Sequence, residues 1–491
     1  MTADAPKAPK SEKQKANKKV GAGVAKKKHR QPCTIFFETQ RGRCESSQLE
    51  SSWREDRSNE ATTNLVPFQD DTVSWLSPYI EADFRLPTTY QPYRGVQFDQ
   101  LYICHFLSAF AFNGSQKEGF HVWSKELLPM RHKNSTLIYA TRAASMAFYG
   151  RICQDENTVI EACRWYSASL QSQRESLELA RVGRDERDTS VAAICAAILL
   201  STFESMVSTT PLGWLQHYEG AVKVIEILGP EACQSGLLHS LFRSVRHGSV
   251  AISMTLEEPS IFSTDVWNTV PFKLQPPSAF DELVGIMLQI PSCLPLRNEM
   301  QKFQGVDAVA SELYRTYLAS KSQHILLCLH QYWEQYQQYI DPNYERRMNR
   351  SSPLFGADYS PLDEDVIFQD SCSATYTAQY DSANIAALTY LTAASVVPAK
   401  YERKIAQHGD SVLASIAYHE LLGSFSGGSF SMILPTKIVC MMSPFESQRS
   451  TAQEALRKWG AGRGVSDICT VAAPNVLRPS TEVSIPMEIM F

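Results

Sequence analysis

No two cysteines in this 491-residue sequence are spaced as CxxC. The twelve cysteines stand at 33, 44, 104, 153, 163, 195, 233, 293, 328, 372, 440 and 469, scattered through helical patterns. Structural zinc needs thiolates brought together by short spacings, and a disulfide framework belongs to short secreted chains. Neither condition is met. The cysteines are therefore expected to behave as small buried hydrophobes, and no metal ligand and no cofactor is assigned.

Catalytic signatures are missing as well. The sequence has no HExxH, no P-loop and no strand-turn-helix glycine fingerprint. Gly460-Ala461-Gly462-Arg463-Gly464 follows a helical run ending at Trp459 and reads as a helix cap and turn. In Gly423-Ser424-Phe425-Ser426-Gly427, Phe425 stands where a nucleophile elbow would place serine. The eleven histidines are dispersed, and His217, on a strongly patterned helix, has no nucleophile or carboxylate at a useful spacing. It is expected to make an interior or helix-pair contact. Glu257 and Glu258 are adjacent, which fixes no acid/base separation. No catalytic residue is assigned, and an enzyme on a helical scaffold is the least favoured reading.

Long apolar runs are also lacking. The longest, Val191 to Leu200, has ten residues, against the roughly 20 that span a bilayer. It is expected to form a buried helix of a soluble protein. The first thirty residues contain no apolar core of the signal-peptide kind, so secretion is not expected. The glycosylation patterns at Asn113, Asn134 and Asn349 are accordingly read as chance matches.

What is present is a split of charge. The formal net charge is −5, yet residues 1–30 carry nine lysines and one arginine against Asp4 and Glu12, a balance of +8. Subtracting that +8 from the total leaves −13 on residues 31–491. A basic arm on an acidic body suggests nucleic acid or transport receptors for the arm, and argues against duplex binding by the body. Lys18, Lys19, Lys26, Lys27, Lys28 and Arg30 form an extended basic string suited to an import receptor or to phosphate contacts.

Residues 1–60 are polar and without apolar periodicity, so a disordered basic tail is expected there. From Trp75 onward helical patterns succeed one another, and alternating runs are rare. The fold class is therefore all-α, with antiparallel helical pairs forming one large domain over 61–491. One helix is predicted from an N-cap at Ser135 to Ile152, with Ile138, Arg142, Met146 and Tyr149 near one face. Another, 156–181, aligns Val159, Cys163, Tyr166, Leu170 and Leu177 and stops at Gly183. A third starts after Asp188 or Thr189 and is apolar nearly all round, which places it in the core.

The fourth, Gly213 to Leu228, aligns Trp214, Tyr218, Ala221, Ile225 and Leu228 and is ended by Gly229-Pro230. Gly220 and Ala221 are expected to admit a neighbouring helix closely. Further helices are predicted near 235–252, 278–290, 306–340, 382–407, 410–422 and 448–459. A long polar loop is expected at 341–381, where Asp358, Asp363, Glu364, Asp365 and Asp370 mix with Tyr359, Val366, Ile367 and Phe368. Such mixtures also occur in acidic activation segments.

The string Gly213-Trp214-Leu215-Gln216-His217-Tyr218-Glu219-Gly220-Ala221, followed by Ile225 and Leu228-Gly229-Pro230, resembles a known signature. It is the W-xx-H-xx-GA-xxx-I-xx-LGP pattern of the fungal-specific transcription factor domain. The preceding Tyr166, Leu170, Leu177, Asp188, Leu199-Leu200 and Phe203-Glu204 follow the same order. The likeness is closest over Ser135 to Pro230 and looser to about Cys469. It implies an all-helical regulatory domain of nuclear transcription factors, with Trp214, His217, Gly220, Ala221, Gly229 and Pro230 as structural signature residues.

In that family the domain usually follows a six-cysteine binuclear zinc cluster that binds DNA. Here the N-terminal region has only Cys33 and Cys44, with Arg41-Gly42-Arg43 before the latter. The resemblance thus implies a nuclear regulator working without its own zinc cluster, or a sequence from which the cluster's segment is missing. Its expected partners are other transcription regulators or coactivators, a second copy or related chain in a dimer, and an import receptor. DNA is expected to be bound weakly or not at all, and no membrane is expected. The alternative reading is non-sequence-specific nucleic-acid binding through the tail.

Overall fold

A computed structural model describes residues 99–110, 134–180, 186–210, 212–256, 258–340, 368–422 and 430–463, together with Tyr344, Met348 and Cys469. All of them belong to one compact unit, Gln91–Phe491. Among the described residues the structure is helical, with no strand. The basic tail, Gly183, the Gly423–Gly427 stretch and most of the acidic stretch fall outside them.

The chain enters through a π-helical turn, Asp99–Ile103, and α1, Cys104–Phe110. Phe106 and Phe110 pack with Phe148 of α2, Ser135–Cys153. Asn134, not Ser135, caps α2, its side chain accepting from Leu137 N at 3.2 Å. Ser135 is instead the first helical residue, and its Oγ lies 2.9 Å from Ser172. The predicted stripe on α2 understates its burial, because Leu137, Ala140, Ala143, Ala144, Met146, Ala147 and Phe148 are all buried. At its C-terminus Gln154 takes the left-handed conformation (φ 56°) and turns the chain back.

The partner helix α3, Glu156–Ala180, runs antiparallel to α2. Its buried residues are Thr158, Val159, Ala162, Trp165, Ser169 and Ser172, while Cys163, Tyr166 and Leu170 flank this stripe half-buried. Small side chains were missed by a search for large apolar ones. They bring the backbones close enough for Ser172 Oγ to reach Thr136 Oγ1 at 2.8 Å and Ser169 Oγ to donate to Thr136 O at 3.2 Å.

The core helix is α4, Glu186–Val207, which begins before Asp188. Every residue from Val191 to Leu200 is buried. By length and composition alone Thr189–Val207 could cross a membrane, but 78% of it is buried inside the fold. Ala279–Phe303 passes the same test, yet it is interrupted by the 3-10 turn Ile290–Ser292.

Next come α5, Gly213–Leu228, and α6, Gly236–Leu256, followed by short α7, Asp265–Thr269, and α8, Ala279–Met287. Helix α9, Cys293–Phe303, leads into α10, Ala308–Ile340, which packs on α9 and α11. Helix α11, Ser371–Ala394, begins inside the stretch expected to be a polar loop. Asp370 there caps the helix through a capping box with Ser373, and Phe368 is buried.

The break expected between 407 and 410 instead lies at Ser395–Pro398, and α12 runs unbroken over Ala399–Leu421. Pro398 cannot continue the preceding ladder. Gly409 lies inside α12 as an interior contact: a Cβ there would lie 2.5 Å from Gln448 Oε1. Helices α13, Ile433–Met442, and α14, Glu446–Arg463, close the body. Gly460 and Gly462 lie inside α14 rather than capping it. Gln448 bonds Ala406 O and Asp410, and Lys458 pairs with Glu420, so α14 runs parallel to α12. Helices α2 and α4 are parallel too, Arg151 near the end of one donating to Met206 O at the end of the other at 3.1 Å.

Candidate functional site

The signature helix α5 is held at both ends and from two sides. Leu212 precedes it in the left-handed conformation (φ 59°). Gly213 then packs so tightly that a Cβ would fall 2.7 Å from the Glu204 carboxylate and from Thr210 Oγ1. Trp214 and Leu215 are buried with Ile252 of α6, and Tyr218 packs against them. Ser201 of α4 donates to Trp214 O at 2.8 Å. At the far end Gly229 (φ 78°) donates to Ile225 O and Glu226 O, and Pro230 opens a 3-10 turn. An L-residue at 229 would be strained.

Around His217 the helices share a polar hub. Its Nε2 lies 2.9 Å from the Tyr166 hydroxyl of α3, and Tyr166 stacks on Phe203 of α4 with centroids 4.4 Å apart. Glu204 raises the pKa of the same hydroxyl, and its carboxylate accepts from Thr209 N at 2.8 Å and from the Thr209 hydroxyl. Burial lowers the His217 pKa, and Glu204 opposes that only in part. Burial, then Glu204, raises that of Tyr166. The hub is thus a neutral imidazole, a neutral phenol and a hydrogen-bonded carboxyl group that tie α3, α4 and α5 together.

The small residues of the signature divide. Ala221 is fully buried, whereas Gly220 is exposed with open space around its Cβ position. The close approach expected at Gly220 occurs at Gly248 of α6, where a Cβ would lie 1.9 Å from the Tyr218 hydroxyl oxygen. Tyr218 donates from there to Ser244 O at 2.8 Å.

Charged side chains that periodicity did not single out anchor the adjoining helices. Arg243 of α6 reaches Asp281 of α8 at 2.9 and 2.7 Å and Ser278 Oγ at 2.9 Å. Burial alone would raise the Asp281 carboxyl, but Arg243 and Ser278 outweigh it and hold the pKa below the ordinary value. Arg246 is buried, its pKa pushed down by burial to about 10, and it donates to Asp281 O and Asn268. The only sequence sign of this was polar residues on the inner face of an amphipathic helix. Farther on, Asp381 of α11 bonds His408 of α12 and Tyr344.

Of the ten cysteines described, five are buried, while Cys104 and Cys153 are exposed, so burial is not general. Among the described residues no group of three or more His, Cys, Asp or Glu is placed to hold a metal. A cleft beside Thr136, Gln173, Ser176 and Thr189 has room for little more than a water molecule. Lys18, Lys19, Lys26, Lys27, Lys28 and Arg30 lie outside the described residues.

The fungal-specific transcription factor domain matches residues 101–394, from the π-helical entry through α11. The chain belongs to the fungal-specific transcription factor domain family. The helices that carry the signature hub, α3, α4 and α5, lie within the matched residues. The chain is also similar to an uncharacterized protein of Emericella nidulans, 21% identical over 137 residues. That alignment covers 28% of each chain. No solved structure matches.

Proposed function

We propose that the protein is a nuclear transcriptional regulator that acts through its helical body on other regulators, without a zinc cluster within these 491 residues. Family membership over 101–394 carries the reading. Two features of the sequence support its finer parts: no CxxC pair occurs, and the basic string is confined to an arm of an otherwise acidic chain. Promoter choice then falls to a partner that reads DNA, as a homologous or second regulator in a dimer would.

A direct test fuses the full chain to an unrelated DNA-reading domain and measures a reporter bearing that domain's site. Transcription is expected to change several-fold in either direction; an unaltered reporter, with the fusion present in the nucleus, overturns the regulatory reading. Two zinc ions bound tightly per purified chain would overturn the cluster-free part. For localisation, Lys26, Lys27, Lys28 and Arg30 changed together to alanine should move a tagged protein out of the nucleus, and unchanged retention rejects that assignment.

A further inference from the structure

Helix α11 is buried on nearly every side although it carries Thr375, Thr377, Gln379, Asp381, Ser382 and Asn384. Asp381 is fully buried. Its Oδ1 accepts from the Tyr344 hydroxyl at 2.6 Å and lies 2.8 Å from His408 Nδ1, while Oδ2 meets no donor. Among the described residues the basic side chain nearest it is His408, at 2.8 Å, and no lysine or arginine pairs with it. A buried carboxylate oxygen without a partner is strongly unfavourable unless something fills its place.

Two further oxygens in the same condition lie on the same two helices, Thr377 Oγ1 on α11 and Ser411 Oγ on α12. The contacts Asp381 to His408 and Thr375 to His419 show that α12 runs antiparallel to α11. Thr377 precedes Asp381 by one turn on the same face, and Ser411 follows His408 on the facing helix, displaced in the same direction along the seam. Buried hydroxyls nearby donate to the carbonyl four residues back: Thr375 to Ser371, Thr389 to Ile385 and Ser415 to Ser411. Thr377 Oγ1 and Ser411 Oγ are buried and do not.

We propose that a small monovalent cation of the sodium type binds between α11 and α12, ligated by Asp381 Oδ2, Thr377 Oγ1 and Ser411 Oγ. The donors are hard oxygens, one of them anionic, which suits an alkali cation rather than a soft or transition metal. A single carboxylate matches a single positive charge. The cation satisfies three oxygens at once and fastens α12, which lies beyond the family match, to α11, which ends it.

The test is thermal unfolding of the full chain in sodium, potassium or choline chloride at equal ionic strength. The wild type is expected to gain a few degrees in Tm, saturably, with an alkali cation and not with choline; the two alkali series identify the preferred ion. Thr377→Val, Ser411→Ala and Asp381→Asn should each weaken or abolish that gain. Because Asp381→Asn can fail to fold, the first two decide the matter. Equal wild-type Tm in alkali and choline salts, with Thr377→Val raising Tm, means that the oxygens hold only water or nothing, and overturns the site. A cation effect undiminished in both hydroxyl variants overturns it too.

Discussion

Gly220 and Gly248 are both helix-interior glycines, and their surroundings give opposite forecasts. Nothing lies within 4 Å of a Cβ built at Gly220, so Gly220→Ala removes a helix-destabilising residue at no steric cost. It should stabilise the domain by about 0.5–1 kcal/mol. Gly248→Ala would drive a methyl group into the Tyr218 hydroxyl and displace the ring that donates to Ser244 O. A loss of about 1–3 kcal/mol is expected from such overpacking. Urea midpoints of the two variants check both signs; equal shifts would refute the placement of Tyr218. The sequence motif names Gly220 and is silent on Gly248, because a motif records identity and spacing along one helix and not what the next helix presses against it.

A titration belongs to the same scale. His419 is buried and lies 3.1 Å from Thr375 Oγ1, and burial pushes its pKa down to about 4. An unfolded histidine titrates near about 6.5. The neutral ring is therefore favoured by folding, and its contribution is complete above the unfolded value and lost as pH falls from there toward the folded one. Between pH 7 and 4 the wild type should lose about 2–3 kcal/mol more stability than His419→Gln, which keeps a polar partner for Thr375 but does not titrate. Parallel pH profiles of the two proteins would contradict the assigned burial.

Among the elements, α4 and α5 are readable from the sequence, whereas of α11 only the second half falls within the helix expected at 382–407. Ten apolar residues in a row declare a core helix, and α5 keeps its large residues on one stripe that the structure buries through Trp214, Ala221 and Ile225. The first half of α11 buries alanine, serine, threonine, tyrosine and Asp381 with no preferred side, so a search for apolar periodicity finds no signal before 382. Its start was nevertheless encoded locally. Asp370 accepts from Ser373 N at 2.7 Å and Ser373 Oγ reaches back toward Asp370 N, which is a capping box with serine in the third position. Asp370→Ala should destabilise the domain by about 1 kcal/mol, and Asp370→Asn by less, since asparagine also caps. Hydrogen exchange at Ser371 to Ala374 should rise in the alanine variant; unchanged protection there would show that α11 is held by packing alone. Charged anchors such as Arg243 with Asp281 were illegible for a related reason: periodicity counts them as solvated, and only the meeting of α6 with α8 brings them together.

At the scale of the whole molecule the division of charge sets the remaining prediction. With +8 on residues 1–30 and −13 on the rest, any attraction to nucleic acid should come through the arm, and should carry no sequence preference because phosphate contacts read none. Changing Lys26, Lys27, Lys28 and Arg30 to alanine removes four positive charges and takes the formal net charge from −5 to −9. If all four contact phosphates, the slope of log K against log salt should flatten by about 3–4. Fluorescence anisotropy with two unrelated labelled duplexes, between low and moderate salt, measures this directly. Equal and steeply salt-dependent binding of both duplexes by the wild type, flattened in the variant, is the expected result. A preference for one duplex that survives the four substitutions would mean that the acidic helical body reads DNA itself, against the repulsion its charge imposes.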